Sequence, residues 1–133
     1  MTRSRSASAV SIPVFGITLT EMARALAKLA DPSKLSPARA AACRRIHKAV
    51  AANPLLIAGT GRFDSGLIKG TGGRILSKGG AEGVHAAAVP AKGIGVAIKI
   101  EDGNGRASGV ALGRMLLRQG VPLPCPRTSR SRS

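Results

Sequence analysis

The early part of the chain repeats apolar residues at the spacing of two helices. After Thr18, leucines and alanines recur every three or four residues as far as Asp31-Pro32, and Thr18 with Glu21 forms the Thr-x-x-Glu pattern of a helix N-terminus. Ser36-Pro37 begins a second predicted helix and Asn53-Pro54 ends it. The apolar stripe of this second helix is predicted to consist of Ala42, Cys43, Ile46, Ala49 and Val50.

From Leu55 onward the pattern changes to short β-like runs between glycine-rich turns. The clearest run is Ile94 to Ile100, where branched residues alternate with small ones, so we expect a helix to pack closely on its small face. Ala91-Lys92-Gly93 resembles a hairpin loop, and Ala107 to Gln119 is a predicted final helix. The other predicted strands are Ile12–Phe15, Leu55–Ala58, Arg74–Lys78 and Val84–Val89. This pattern predicts a mixed α/β fold in which helices flank an antiparallel sheet.

The composition bounds the size of this fold. The chain has 133 residues, of which 44% are hydrophobic and only 2% aromatic, so it has apolar surface for one domain with a small aliphatic core. The longest uncharged early stretch, Ser6 to Thr20, is shorter than the roughly 18 apolar residues that a membrane span needs, and Pro13 interrupts it. We therefore expect no transmembrane segment and a cytoplasmic protein.

The charge balance is strongly basic. Twenty-one Lys and Arg residues against six Asp and Glu give a net charge of +15, which favours contact with polyanions. Residues 1–9 and 125–133 are rich in Arg and Ser, so we expect two disordered basic tails around a domain spanning residues 10–124. The second helix adds a basic face that is either a solvated surface or a nonspecific nucleic-acid contact. This face consists of Arg39, Arg44, Arg45 and Lys48.

Metal-binding and catalytic patterns are scarce. Cys43 and Cys125 are the only cysteines, they stand far apart, and the sequence has no C-x-x-C pair, so we expect no zinc site built from this chain alone. His47 and His85 fit packing or surface positions better than the position of a general base. The phosphate-binding and nucleophile motifs of the common enzyme classes are absent from the sequence.

Two glycine-rich segments carry groups suited to contact with a substrate. In the first, Arg62 and Asp64 form either a local brace or a substrate clamp, and Asp64 would cap a short helix that runs toward Lys69. In the second, Lys78 ends a predicted strand and Gly79-Gly80 follows it. Because glycines carry no side chains, a substrate can approach the backbone amides beside the Lys78 ammonium closely.

Four segments of the chain, in order, resemble the C-terminal half of the asparaginase II family of bacterial L-asparaginases. They are Ser11–Phe15, Ala58–Asp64, Lys78–Val84 and Gly95–Gly103. The resemblance implies part of a β-lactamase-like fold and hydrolysis of the side-chain amide of L-asparagine to L-aspartate and ammonia.

The resemblance also implies roles for five neighbouring residues. Lys78 would assist the reaction or bind the substrate, and Gly79 and Gly80 would leave room for the substrate against the strand. The backbone N–H of Ala81 would be one oxyanion donor. Glu82 would be a supporting group beside it.

The sequence also departs from the family pattern. The resemblance implies a Ser nucleophile activated by Lys in an S-x-x-K motif, and no Ser in this chain has a Lys three residues later. Family members carry Asp-Gly-Cys, whose Cys contributes to a metal site, where this chain has Ser8, Ala9 and Val10. We therefore expect no cofactor and a truncated fragment that retains Lys78 but is inactive alone.

Two other functions stay open at this level. The chain is alternatively a basic module that binds nucleic acid or an acidic surface without specificity, although it lacks the interleaved aromatic residues that stack on bases. It is alternatively a partner-dependent piece of a split enzyme, completed by a separate N-terminal half that carries S-x-x-K. An exposed sheet edge would also favour a homo-oligomer.

Overall fold

The computed structural model describes residues 16–124. Within this range, five α-helices accompany one antiparallel sheet of three strands. The helices are α1 Leu19–Ala30, α2 Pro37–Ala52, α3 Leu55–Ala58, α4 Phe63–Gly70 and α5 Gly105–Arg118, and the strands are β1 Leu76–Gly79, β2 Val84–Val89 and β3 Ile94–Lys99. Strand β2 lies between β1 and β3. The predicted mixed α/β fold, with an antiparallel sheet flanked by helices, is confirmed.

Helices cover both faces of the sheet. On one face, alternate residues of β2 and β3 join Leu67 of α4 and the fully buried Leu112 of α5 in the main core. On the other face, Ala88 packs with Ala30 of α1, and Val50 of α2 lies against this second core. Burying one leucine side chain stabilises a fold by about 1.5–3 kcal/mol, so the main core supplies most of the apolar stabilisation.

Helix α1 forms where the sequence predicts it and lies directly on the sheet. The Thr18 hydroxyl accepts a hydrogen bond from the Glu21 backbone N–H at 3.1 Å, and the Glu21 carboxylate accepts one from the Thr18 N–H at 3.0 Å. A Cβ atom at Gly95 would lie 2.1 Å from the Ala23 carbonyl oxygen, so only glycine lets α1 come this close to β3. The predicted close packing of a helix on the small face of this strand is confirmed.

The run Leu55–Ala58 is a short helix and not the predicted strand. Pro54 precedes it with helical backbone angles, and the Leu55 carbonyl oxygen accepts a hydrogen bond from the Gly59 N–H at 2.9 Å. An apolar run of four residues has no periodicity that separates a strand from a turn of helix, so the sequence pattern is insufficient here.

The buried face of α2 also differs from the predicted stripe. Ala40 is buried and Cys43, His47 and Val50 are half-buried, whereas Ile46 is 50% exposed. Ala42 and Ala49, which belong to the predicted stripe, are exposed as well. Alanine adds little hydrophobicity to a helix face, so an alanine-rich pattern does not determine which face packs against the sheet.

The remaining predicted elements agree with the structure within two residues where it describes them. Strand β2 has the predicted bounds, Pro90–Lys92 and Gly93 form the predicted hairpin loop, and α5 begins two residues earlier than predicted. The predicted strand Ile12–Phe15 and the predicted tails, residues 1–9 and 125–133, lie outside the described residues. Between residues 16 and 124, no helix combines the length and the apolar character that a membrane crossing requires.

Candidate active site

Asp64 is the centre of a buried polar cluster that joins α4 to the sheet. It lies in the first turn of α4 and is 6% exposed. Its Oδ2 accepts a hydrogen bond from the Gly79 N–H at 2.8 Å, and its Oδ1 accepts one from the Ser77 hydroxyl. His85 Nε2 lies 2.7 Å from the same Oδ1. Because a buried charge requires paired and hydrogen-bonded surroundings, these three donors hold the carboxylate in one position.

His85 connects this carboxylate to α5. A carboxylate only accepts hydrogen bonds, so Nε2 carries the hydrogen that points to Asp64. The other ring nitrogen, Nδ1, lies 3.2 Å from the hydroxyl of Ser108, which donates to the Gly105 carbonyl oxygen at 2.8 Å. The rings of Phe63 and His85 form a T-shaped pair with centroids 5.5 Å apart. We call Asp64, Ser77, His85 and Ser108 the Asp64 cluster.

The Asp64 cluster keeps its carboxyl group ionised. Burial raises the pKa of Asp64, but the hydrogen bonds from His85, Ser77 and the Gly79 N–H outweigh burial and lower the pKa from 3.8 to about 2. At neutral pH Asp64 is therefore a carboxylate that orients neighbouring donors. It does not supply a proton.

A cavity of about 820 Å³ opens above the Asp64 cluster. Lys78, Gly79 and Gly80 line it at the end of β1. Two further cations, Arg62 and Arg106, also line it, and its apolar wall comes from Ile57, Phe63 and Val110. Three cations face one carboxylate that is already paired, so the cavity favours ligands with a negatively charged group, such as a carboxylate.

The structure brings three of the five sequence-predicted site residues to this cavity. Lys78 is exposed, its ammonium donates to the Gly79 carbonyl oxygen, and the backbone of Gly79 and Gly80 continues the same wall. Ala81 and Glu82 lie in the exposed turn between β1 and β2, and neither is among the described residues that line the cavity. The Ala81 carbonyl oxygen accepts the Val84 N–H at 3.1 Å, which closes this turn.

Two interpretations of the segment from Arg62 to Asp64 are wrong. Within residues 16–124, Asp64 forms its ion pair with His85, so the local brace between Arg62 and Asp64 does not form, and Arg62 lines the cavity instead. Asp64 does not cap α4, whose N-cap residue is Arg62. His85 is buried in a polar network and is more than a packing residue.

The alternating pattern of β2 indicates that His85 is buried, although the residues next to His85 in the sequence do not reveal its role. His85, Ala87 and Val89 alternate along β2 and share the face of the main core. A histidine on a buried strand face requires polar partners, and the partners here are separated from it by up to 23 positions in the sequence. Their identity follows from the tertiary packing of α4 and α5.

The residues present do not fit the metal site that the resemblance implies. Val10, which has no donor atom for a metal, stands where the family has Cys, and it lies outside the described residues. Within residues 16–124, no group of three His, Cys, Asp or Glu side chains is arranged to hold a metal ion.

The fold and the cavity define an α/β protein with a cationic pocket of the size that binds small molecules. The sequence matches the L-asparaginase II family over residues 9–132, which is most of the chain. The chain therefore belongs to the L-asparaginase II family. No curated protein matches the sequence.

Proposed function

We propose that the cavity is the substrate-binding wall of an L-asparaginase-type active site and that this chain does not hydrolyse asparagine by itself. The observation that carries the proposal is the position of Lys78, Gly79 and Gly80, which line a cationic cavity in a member of the L-asparaginase II family. At neutral pH L-asparagine carries one carboxylate, one α-ammonium group and one neutral amide. Arg62 and Arg106 attract the carboxylate, and Lys78 contacts the amide end.

The backbone at the end of β1 sets which amides are free for the substrate. The Gly79 N–H donates to Asp64, and the Gly80 N–H donates to the Val84 carbonyl oxygen at 2.8 Å. Neither amide is therefore an oxyanion donor. The Ala81 N–H is the next amide along the chain, just beyond the residues that line the cavity, and it acts as the donor if the substrate carbonyl extends past Gly80. Glu82 supports this turn from its exposed position.

Hydrolysis breaks the bond between the carbonyl carbon and the amide nitrogen, adds the elements of water, and releases ammonia. The attacking hydroxyl requires an adjacent base, and the chain contains no S-x-x-K pair. The two serines below the cavity are occupied, because Ser77 donates to Asp64 and Ser108 donates to the Gly105 carbonyl oxygen. We propose that residues outside this chain supply the nucleophile and its lysine.

An ammonia-release assay on the pure full chain tests this proposal. With L-asparagine or L-glutamine as substrate, we expect no release above the uncatalysed background, because the nucleophile is missing. When a polypeptide carrying the S-x-x-K half of a family member is co-expressed, we expect asparagine hydrolysis, and Lys78→Ala should reduce it by roughly a hundredfold or more.

Lys28→Ala is the matched control, because Lys28 is an exposed lysine of α1 outside the cavity. It should leave the activity of the assembled pair unchanged. The proposed inactivity would be contradicted if the chain alone releases ammonia and this activity is lost in Lys78→Ala but kept in Lys28→Ala. Equal activity of the Lys78→Ala and Lys28→Ala pairs would contradict the role of Lys78.

A further inference from the structure

A second cationic surface lies outside the main cavity and shares no lining residue with it. It is a groove of about 400 Å³ between α2 and the turn that leads from α4 into β1. Arg44, His47 and Lys48 line it from α2, and Arg74 lines it from the turn. We call it the α2 groove.

The two walls of the α2 groove are fixed against each other. His47 Nε2 donates to the Gly73 carbonyl oxygen at 2.7 Å. Gly73 has a φ of +75°, and a Cβ atom there would lie 2.4 Å from the Ala51 Cβ atom, so the turn touches the α2 side directly. Arg74 Nε donates to the Thr71 carbonyl oxygen at 2.9 Å, which leaves the outer nitrogens of its guanidinium available to a ligand. The groove is therefore preorganised.

The charge in the α2 groove is uncompensated. Of the six acidic residues of the chain, all of which lie within residues 16–124, none lines the groove. Arg44 and Lys48 are four residues apart on α2, where like charges destabilise a helix. An anion bound between them and Arg74 removes this repulsion.

The other two cations of the basic α2 face provide a contrast. Arg39 and Arg45 are exposed on the same helix, but neither lines the groove. At about 100° per residue, Arg39 lies on the side of the helix opposite Arg44 and Lys48, whereas Arg45 lies about 60° around the helix from Lys48, beyond the edge of the groove. The basic face predicted from the sequence therefore consists of two surfaces. Arg44 and Lys48 belong to the concave α2 groove, and Arg39 and Arg45 lie outside it.

We propose that the α2 groove binds phosphate groups, either of a small diphosphate or of consecutive phosphodiesters in a single-stranded nucleic acid. Arg74 has the planar fork that pairs with two phosphate oxygens, and Arg44 and Lys48 add charge on the opposite wall. Three cations match a ligand with more than one negative charge better than they match a single carboxylate. Among residues 16–124, no Phe, Tyr or Trp lines the groove and the His47 ring is held by the Gly73 carbonyl oxygen, so we expect no stacking on the bases of a nucleic acid.

Binding by the full chain is measured with two probes, a fluorescent single strand of about twelve thymidines and inorganic pyrophosphate as its competitor. The double variant Arg44→Gln/Lys48→Gln should weaken oligonucleotide binding at least about tenfold near 100 mM salt, and should lower the salt slope by about 1.5. The double variant Arg39→Gln/Arg45→Gln removes the same charge from the same helix, and should weaken binding less than about threefold.

The outcomes separate the two ligand sources and the alternative of bulk charge. If pyrophosphate competes with the oligonucleotide, and the Arg44→Gln/Lys48→Gln variant abolishes this competition, the groove binds a small diphosphate. If the oligonucleotide binds and pyrophosphate does not compete with it, the groove binds a phosphodiester backbone. Equal losses in the two double variants would overturn the proposal, because they would show that only net charge matters. Thermal melting by circular dichroism should show that both variants fold, since all four side chains are exposed, and Arg44→Gln/Lys48→Gln should melt no earlier than the unmodified chain because it removes a like-charge pair.

Discussion

Replacing Gly95 by alanine is expected to destabilise the protein by about 3 kcal/mol or more. The new Cβ atom would lie 2.1 Å from the Ala23 carbonyl oxygen and 2.4 Å from the Ala27 backbone nitrogen. Both atoms belong to the backbone of α1, so no side chain can rotate away and the helix must move off β3. Urea denaturation followed by far-ultraviolet circular dichroism measures the change in the free energy of unfolding.

Gly66→Ala is the control, because it makes the same chemical change where there is space. Gly66 lies inside α4, and no heavy atom outside its own helix turn lies within 4 Å of the position of a Cβ atom. Alanine should stabilise this helix by up to about 1 kcal/mol. The two substitutions are thus expected to have opposite signs. A Gly95→Ala protein as stable as the unmodified chain would show that α1 does not rest on β3.

Replacing Asp64 by asparagine is expected to cost about 3 kcal/mol at neutral pH. The substitution keeps the size of the side chain but removes the charge that pairs with His85 and one of the two acceptor oxygens used by Ser77 and Gly79. Asp102→Asn is the control, since Asp102 is exposed and its Oδ1 accepts a hydrogen bond from the neighbouring Asn104 N–H at 2.8 Å. It should cost less than about 0.5 kcal/mol.

The pH dependence distinguishes loss of the Asp64 charge from a general packing defect. The pKa of Asp64 is lowered to about 2, so the folded protein holds the carboxylate where the unfolded chain takes up a proton. The ionised Asp64 therefore contributes at most about 2.5 kcal/mol to the free energy of unfolding. This contribution is present above about pH 4 and is lost as the pH falls toward 2. Unfolding curves between these pH values should show this loss in the unmodified chain. The same loss in Asp64→Asn would contradict the assignment.

Elements encoded by neighbouring residues could be predicted from the sequence. The capping box of Thr18 and Glu21 lies within four residues, and the alternation around Gly95 lies within one strand. The capping box predicts a hydrogen-bonded helix end, and the alternation predicts a strand with one face of small residues. Lys78 at the cavity wall follows from its position at the end of a strand before two glycines.

The Asp64 cluster could not be predicted in this way, because its members come from four elements. The register of β1 and β2 places Gly79 opposite His85, and only the packing of α4 then brings Asp64 to both. Arg62 and Asp64 are close in sequence, but a helix that begins between them directs Asp64 inward and leaves Arg62 at the cavity. Proximity in sequence therefore suggested the wrong partner for Asp64.

The most direct test of the cavity as a substrate-binding wall is a titration of the ¹⁵N-labelled full chain with L-asparagine, followed by amide shifts in NMR spectra. We expect saturable shifts at the amides of Gly80, Gly105 and Gly109, which line the cavity, and we expect these shifts to be lost in Lys78→Ala but not in Lys28→Ala. Absence of these shifts, or equal shifts in the Lys78→Ala protein, would contradict it.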